Sequence, residues 1–199
     1  MTTLKAEKRD LSKKAKALRR QGMVIGVVYG REMKDNIPIQ ISAVDATRFM
    51  KDHSKGSQTM LEVDGQSIDV LLKDTDFDPT THQYLSVDFQ ALVADEKVTS
   101  TAPIILVNED KTTGFLTHNL SELSYKALPS ALIEKVEIDI EKIPVGTNLL
   151  VKDLEVAANK DIEILTPMDT SVVHIAEHQK HAAAAETEEA AEGESAVEA

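Results

Sequence analysis

Ten cations crowd the first 34 residues of this 199-residue chain: Lys5, Lys8, Arg9, Lys13, Lys14, Lys16, Arg19, Arg20, Arg31 and Lys34. Only three acids, Glu7, Asp10 and Glu32, share that span, which therefore carries +7. The whole chain is −12, leaving −19 on the remainder. A solvated charged helix face would also read as basic, but segregation this sharp favours a localised surface for a polyanion. Nucleic acid is the leading candidate. The chemistry on offer is charge-assisted hydrogen bonding to phosphate, which supplies affinity and register but little sequence information. Arginine adds a planar fork that can read guanine or lie flat against a base, which lysine does poorly. Charge alone does not separate RNA from DNA.

Other groupings carry less. Asp74, Asp76 and Asp78 share a face if extended, with His82 near. A calcium loop starting at Asp74 needs Gly sixth and Glu twelfth, where Pro79 and Leu85 stand. A turn-rich acidic loop is the expectation there. His174, His178 and His181 would align on a helix, yet no carboxylate or fourth ligand joins them, and no metal site is expected. No nucleophile elbow, phosphate loop or zinc-protease pattern occurs, so no enzyme, cofactor or small-molecule substrate is expected. The absence of Cys excludes disulfides and thiolate chemistry. With 4% aromatics and no Trp, a platform of stacking rings is disfavoured. No apolar run reaches the roughly 20 residues that span a bilayer. Arg31 ends the short apolar run that follows Arg19-Arg20 and no small-residue cleavage site follows, so no export signal is expected there. A cytoplasmic protein without membrane contact is expected.

The elements that must position the cations read as mainly β with short helices. Leu4, Ala6 and Lys8 alternate as a first strand. Ser12 is placed to cap a helix over 13–21, with Gly22 at its left-handed end. On that helix Leu11, Ala15 and Leu18 fall on one side and Lys13, Lys16 and Arg20 on the other, flanked by Lys14 and Arg19. Residues 23–29 form a buried-type strand. Ile37, Ile39 and Ile41 alternate as another, with Pro38 implying an edge. Ser42 and Asp45 suggest a capping box for a helix through Met50. Asp64-Gly65 between residues 60–63 and 68–72 is a hairpin signal, and 84–93 supplies a further strand. Residues 1–93 are thus expected to form a barrel-like domain of six strands. Residues 94–176 would form a second β-rich domain, with strands at 98–107, 133–140, 162–165 and 172–176. Residues 177–199, net −6, would form a disordered Ala/Glu-rich acidic tail.

The motifs carry a resemblance. Leu18-Arg19-Arg20-Gln21-Gly22 followed by Val27-Val28-Tyr29-Gly30 is similar to the opening signature of the Ctc (L-twenty-five) family of bacterial large-subunit ribosomal proteins. It continues in Val70-Leu71-Leu72-Lys73-Asp74, Asp78-Pro79-Thr80 and Val87-Asp88-Phe89. Val136-Glu137-Ile138-Asp139, Pro144-Val145-Gly146 and Val151-Lys152-Asp153-Leu154 extend it through the second domain. Coverage is roughly residues 3–176, in the two-domain form also called a general stress protein. The resemblance implies an N-terminal barrel that binds the loop E region of 5S ribosomal RNA, its helix addressing the minor groove. It further implies contacts with large-subunit RNA and neighbouring ribosomal proteins, and a ribosome-associated location. By matching position the RNA-facing residues are Arg9, Lys14, Lys16, Arg19, Tyr29, Gly30 and Asp88, with Arg20 among the helix cations. Asp88 would accept from a ribose 2′-hydroxyl or a guanine amino group.

The chain departs from the family pattern in four places. Ser86 stands where the family usually has His, as a shorter hydrogen bonder or with water filling the gap. Ile25-Gly26 replaces a common Pro-Ala, Ala17 a frequent Arg, and Asp76-Phe77 a frequent Gln-Arg. These changes imply binding that persists but is weaker or more salt-sensitive than in a typical member. The alternative is a stress-related protein–protein module acting largely off the ribosome through its acidic domain and tail.

Overall fold

Alternation of apolar and polar residues builds most of this molecule, as seen in a computed structural model that describes residues 3–33, 35–112, 114–159 and 161–176. The expected acidic tail, with His178 and His181, lies outside the described residues. The N-terminal half runs β1 (Thr3–Lys8), α1 (Ala15–Arg20), β2 (Met23–Tyr29), β3 (Ile37–Ser42), α2 (Ala43–Asp52), β4 (Gln58–Val63), β5 (Gln66–Asp78) and β6 (Gln83–Ala91). Its six strands close into a barrel in the order β1-β3-β2-β6-β5-β4, the parallel β1–β4 pair completing the ring. Inward positions are apolar and dry: Val28, Ile39, Leu61, Val70, Val87 and Phe89 are fully buried. Closure gives each strand a neighbour on both sides, so the barrel has no edge strand to offer its surroundings.

Several expectations change. Ser12 does not cap the helix; its amide and hydroxyl both donate to Asp10 Oδ1, at 3.0 and 2.6 Å, in a local Asx-type turn. The helix therefore starts later, with Lys14 in the cap position and no side-chain cap. Leu11 falls outside it and is 73% exposed, whereas Leu18 is buried as expected. Gly22 does take the left-handed end, at φ +76°. Pro38 does not mark an edge, because β3 lies between β1 and β2. Its carbonyl accepts from Arg9 N at 2.9 Å where β1 runs out, so its missing N–H falls at the frayed end of a ladder. Ser42 precedes α2 without a side-chain cap bond. Asp64 and Gly65, at φ 49° and 82°, make the expected tight hairpin turn. Residues 74–78 belong to β5 and are not a turn-rich loop. Pairing with β6 overrides the poor strand propensity of Asp.

Gly26 sets the spacing of the barrel wall. A Cβ there would sit 2.3 Å from Val87 O and 3.2 Å from Ile39 Cγ1, so the backbones of β2 and β6 approach more closely than a methyl group allows.

The C-terminal half contains β7 (Val98–Val107), β8 (Phe115–His118), β9 (Glu122–Ala127), β10 (Val136–Asp139), β11 (Asn148–Leu150), β12 (Ile162–Ile164) and β13 (Ser171–Ala176), joined in part by short 3₁₀ turns. Two open sheets form, β10-β7-β9-β12 and β11-β13-β8, around a second core that includes Leu123, Tyr125, Ile140, Val151 and Val172. Only Val136–Asp139 of the strand expected over 133–140 pair as a strand. The buried Tyr125 hydroxyl explains part of this. It donates to Ile133 O at 3.0 Å and accepts from Ile133 N at 2.8 Å, holding the chain just before the strand.

The halves also touch. Lys73 Nζ donates to Thr99 O at 2.6 Å, and a Cβ on Gly56 would lie 2.0 Å from Thr101 O. No helix among the described residues is long and apolar enough to cross a membrane.

Candidate nucleic-acid interface

Strand registry places several of the candidate residues in rows on the outer barrel wall. Directly opposed residues on neighbouring strands point to the same face. Val28, Val87 and Phe89 point inward, so Val27, Tyr29, Ser86 and Asp88 point out. Val27 pairs with Pro38 on one side and Asp88 on the other, and Asp88 with Asp74. Arg9 extends the row through its backbone bond to Pro38. The row therefore reads Arg9, Pro38, Val27, Asp88, Asp74 across five strand positions. At about 4.8 Å per strand, Arg9 and Asp88 stand some 15 Å apart. A second row runs Glu7, Gln40, Ile25, Ser86, Asp76. Within it Gln40 Nε2 donates to Glu7 Oε2 at 3.1 Å.

The helix is held against this wall at two points. Leu18 is its buried residue, and α1 packs on β2. Arg19 Nε donates to Leu85 O at 3.1 Å, one residue before Ser86. Gly22 N donates to Arg19 O at 3.0 Å, and Gly22 O accepts from Ala43 N at 2.8 Å, which ties the helix end to the start of α2. Lys14, Lys16 and Arg20 remain exposed. Arg19 is half-buried and serves partly as a strut, which its position in a charge list does not reveal.

Arg9 is the most telling cation. Its side chain is half-buried, and its Nε is enclosed with no hydrogen-bond partner among the described residues. An enclosed guanidinium donor without a partner is costly, and turning the side chain outward to an oxygen acceptor would relieve that cost. Gly30 has a packing role besides its candidate one, since a Cβ there would lie 2.9 Å from Ala91 Cβ.

The acids on the wall shape its electrostatics. Asp88 makes no hydrogen bond or ion pair among the described residues, and burial followed by the charge of Asp74 pushes its carboxyl pKa up. Tyr29 is likewise pushed up, first by burial and then by Asp88 and Asp74, so its hydroxyl remains a proton donor. Asp74 is held below the usual carboxylate range chiefly by Lys55, 2.7 Å away. Sequence reasoning brings Arg9, the helix cations, Tyr29 and Asp88 to this site. It enters Asp76 only as a loss of positive surface and notes that Asp74 shares its face if extended, but does not join Asp74 or Lys55 to the site. No cluster of three or more His, Cys, Asp or Glu placed to hold a metal occurs among the described residues.

Comparison with known proteins agrees with this two-part organisation. The model of the Ribosomal L25p family matches residues 4–89, and that of the ribosomal protein TL5 C-terminal domain matches residues 97–179. A large ribosomal subunit protein bL25 from Dictyoglomus thermophilum is 33% identical over 95% of this chain and 96% of that protein. One from Dictyoglomus turgidum is 34% identical over 88% and 89%, and one from Geobacillus thermodenitrificans 33% over 87% and 89%. The chain belongs to the bL25, or Ctc, family of bacterial large-subunit ribosomal proteins, in its two-domain form.

Proposed function

We propose that this protein is a structural constituent of the large ribosomal subunit in the cytoplasm and binds the loop E region of 5S ribosomal RNA through its barrel. Large-subunit RNA and neighbouring ribosomal proteins complete its surroundings. The reading divides the chain into an RNA-binding domain over residues 1–93 and a second domain over 94–176. No bond is made or broken, so the function rests on complementarity alone.

The observation that carries this reading is the row from Arg9 to Asp88, beside which α1 raises its cations. An enclosed, unpaired Arg9 donor at one end suits a phosphate oxygen. Asp88 at the other, without a hydrogen bond or ion pair among the described residues, suits a 2′-hydroxyl or a guanine amino group. Lys14, Lys16, Arg19 and Arg20 supply phosphate contacts along the helix, and Tyr29 donates from its protonated hydroxyl. Ser86, next to Asp88 on the same strand face, offers a short donor where the family has an imidazole. Gly30 lets the end of β2 lie close to β6.

A gel shift with 5S RNA tests the reading. Combining Arg9→Ala with Arg19→Ala should weaken binding by roughly tenfold or more and flatten the salt dependence by about one unit of slope per lost phosphate contact. Unchanged affinity in a variant that keeps its circular dichroism sinks the proposed interface.

A further inference from the structure

The free edge of β10 borders a cleft of about 640 Å³. Five successive residues, Lys135 to Asp139, line it, whereas none of β7 does, so the cleft follows the side of the strand that faces away from its sheet. Among the described strands β10 pairs with β7 alone, in parallel. Alternate residues of β10 therefore turn their N–H and C=O groups into the cleft unpaired. Leu149, Leu154 and Val156 add apolar lining to the same cleft. An open strand edge in a partly apolar cleft is the arrangement that accepts an added strand.

The rim decides what kind of strand fits. Glu137, Asp139, Asp153 and Glu155 border the cleft with only Lys135 and Lys142 among them. Those lysines pair with Glu137 at 2.5 Å and Asp139 at 3.3 Å. Asp153 accepts only from the Leu150 amide, at 3.1 Å, and Glu155 has no ion pair among the described residues. The cleft is left net acidic. Residues 177–199, at −6, would be repelled from it, and a second copy would bring another domain whose residues 94–176 carry −7. We infer that the β10 edge docks an extended cationic peptide segment, with Lys or Arg at alternate positions and apolar residues between, that pairs as an added strand. The inference stands apart from the RNA reading, because the Arg9 and Arg19 substitutions leave this cleft untouched.

The test uses the full chain and two fluorescent peptides of about eight residues, enough to span the edge. One alternates Lys with Val, and the other alternates Glu with Val. The cationic peptide should bind at least roughly tenfold more tightly, and Glu137→Lys with Glu155→Lys should reduce its affinity by about the same factor. Amide hydrogen exchange at the outward-facing residues of β10 should slow on binding. Equal affinity for both peptides, indifference to the double substitution, or unchanged exchange along β10 overturns the inference. So does concentration-dependent dimerisation that protects the same amides without peptide, which would assign the edge to a second copy.

Discussion

The barrel and the second domain are both β structures of similar size, yet one offers the surroundings a face and the other an edge. The barrel closes on itself through the β1–β4 pair, so every strand has a neighbour on both sides and the outward side chains are what it offers. The second domain is built from two short open sheets and leaves β10 paired on one side. Charge follows the same division. All five arginines lie in the first 48 residues, whereas residues 94–176 carry lysines only and a net charge of −7. A planar guanidinium on a rigid wall suits phosphate, and an acidic edge suits a cationic strand. Sheet closure and charge together suit the two halves to opposite kinds of partner, as proposed for each.

Removing a core ring is the hardest blow to that contrast. Phe89 is fully buried in the barrel and meets Phe49 with ring centroids 6.4 Å apart. Phe89→Ala should cost about 3–5 kcal/mol by emptying the barrel core. Denaturant unfolding followed by NMR should show the barrel resonances lost first, with those of the second core persisting. A single shared transition would mean that the Lys73–Thr99 and Gly56–Thr101 contacts fuse the two halves into one folding unit.

The second domain depends on a polar strut where the barrel depends on apolar packing. Tyr125→Phe keeps the ring but leaves the Ile133 N–H and C=O without the hydroxyl that meets both. Loss of about 1–3 kcal/mol is expected, from unsatisfied backbone groups more than from lost contact. Because Ile133 leads into β10, amide exchange along β10 should quicken while the barrel stays unchanged. A variant as stable as the parent would show that water replaces the hydroxyl at this position.

The same contrast explains what could be read from the sequence. The bounds of β2 and β7, the Asp64-Gly65 turn and the left-handed Gly22 are legible because each is set by neighbours along the chain. Ser12 misleads because Asp10, two residues earlier, engages it more closely than the helix does. Strands β8 and β9 are not singled out, although Leu123, Tyr125 and Ala127 alternate clearly with polar residues. Their partners are not their immediate neighbours along the chain: β8 pairs with β13, more than fifty residues on, and β9 pairs with β7 across a connection that itself contains β8, so no simple hairpin signal marks them. At the interface, the cations and Tyr29 are legible as residue types. The joining of Asp74 to Asp88 is a product of barrel registry and the bulge near Lys73, which no sequence period reports.

That joining yields the gentlest test of the barrel wall. Asp88 has a folded-state pKa raised by burial and by Asp74, so the folded protein holds its proton more tightly than the unfolded chain. Its contribution to stability is fully present below the unfolded pKa and is lost as pH rises through the folded one. Asp74, lowered by Lys55, has the opposite sign: its contribution is present above the unfolded pKa and is lost as pH falls through the folded one. Asp88→Asn should therefore raise the melting temperature slightly at neutral pH, and the gain should vanish on acidification through the carboxylate range. Lys55→Ala should lower stability at neutral pH by no more than the 0–1 kcal/mol typical of a solvent-exposed pair. Melting curves against pH separate the two. If Asp88→Asn destabilises the barrel at neutral pH, the charge of Asp88 is held by a partner on the wall and is not waiting for one. The acidic end of the Arg9–Asp88 row would then be structural, and the RNA-facing surface would shrink to its basic end.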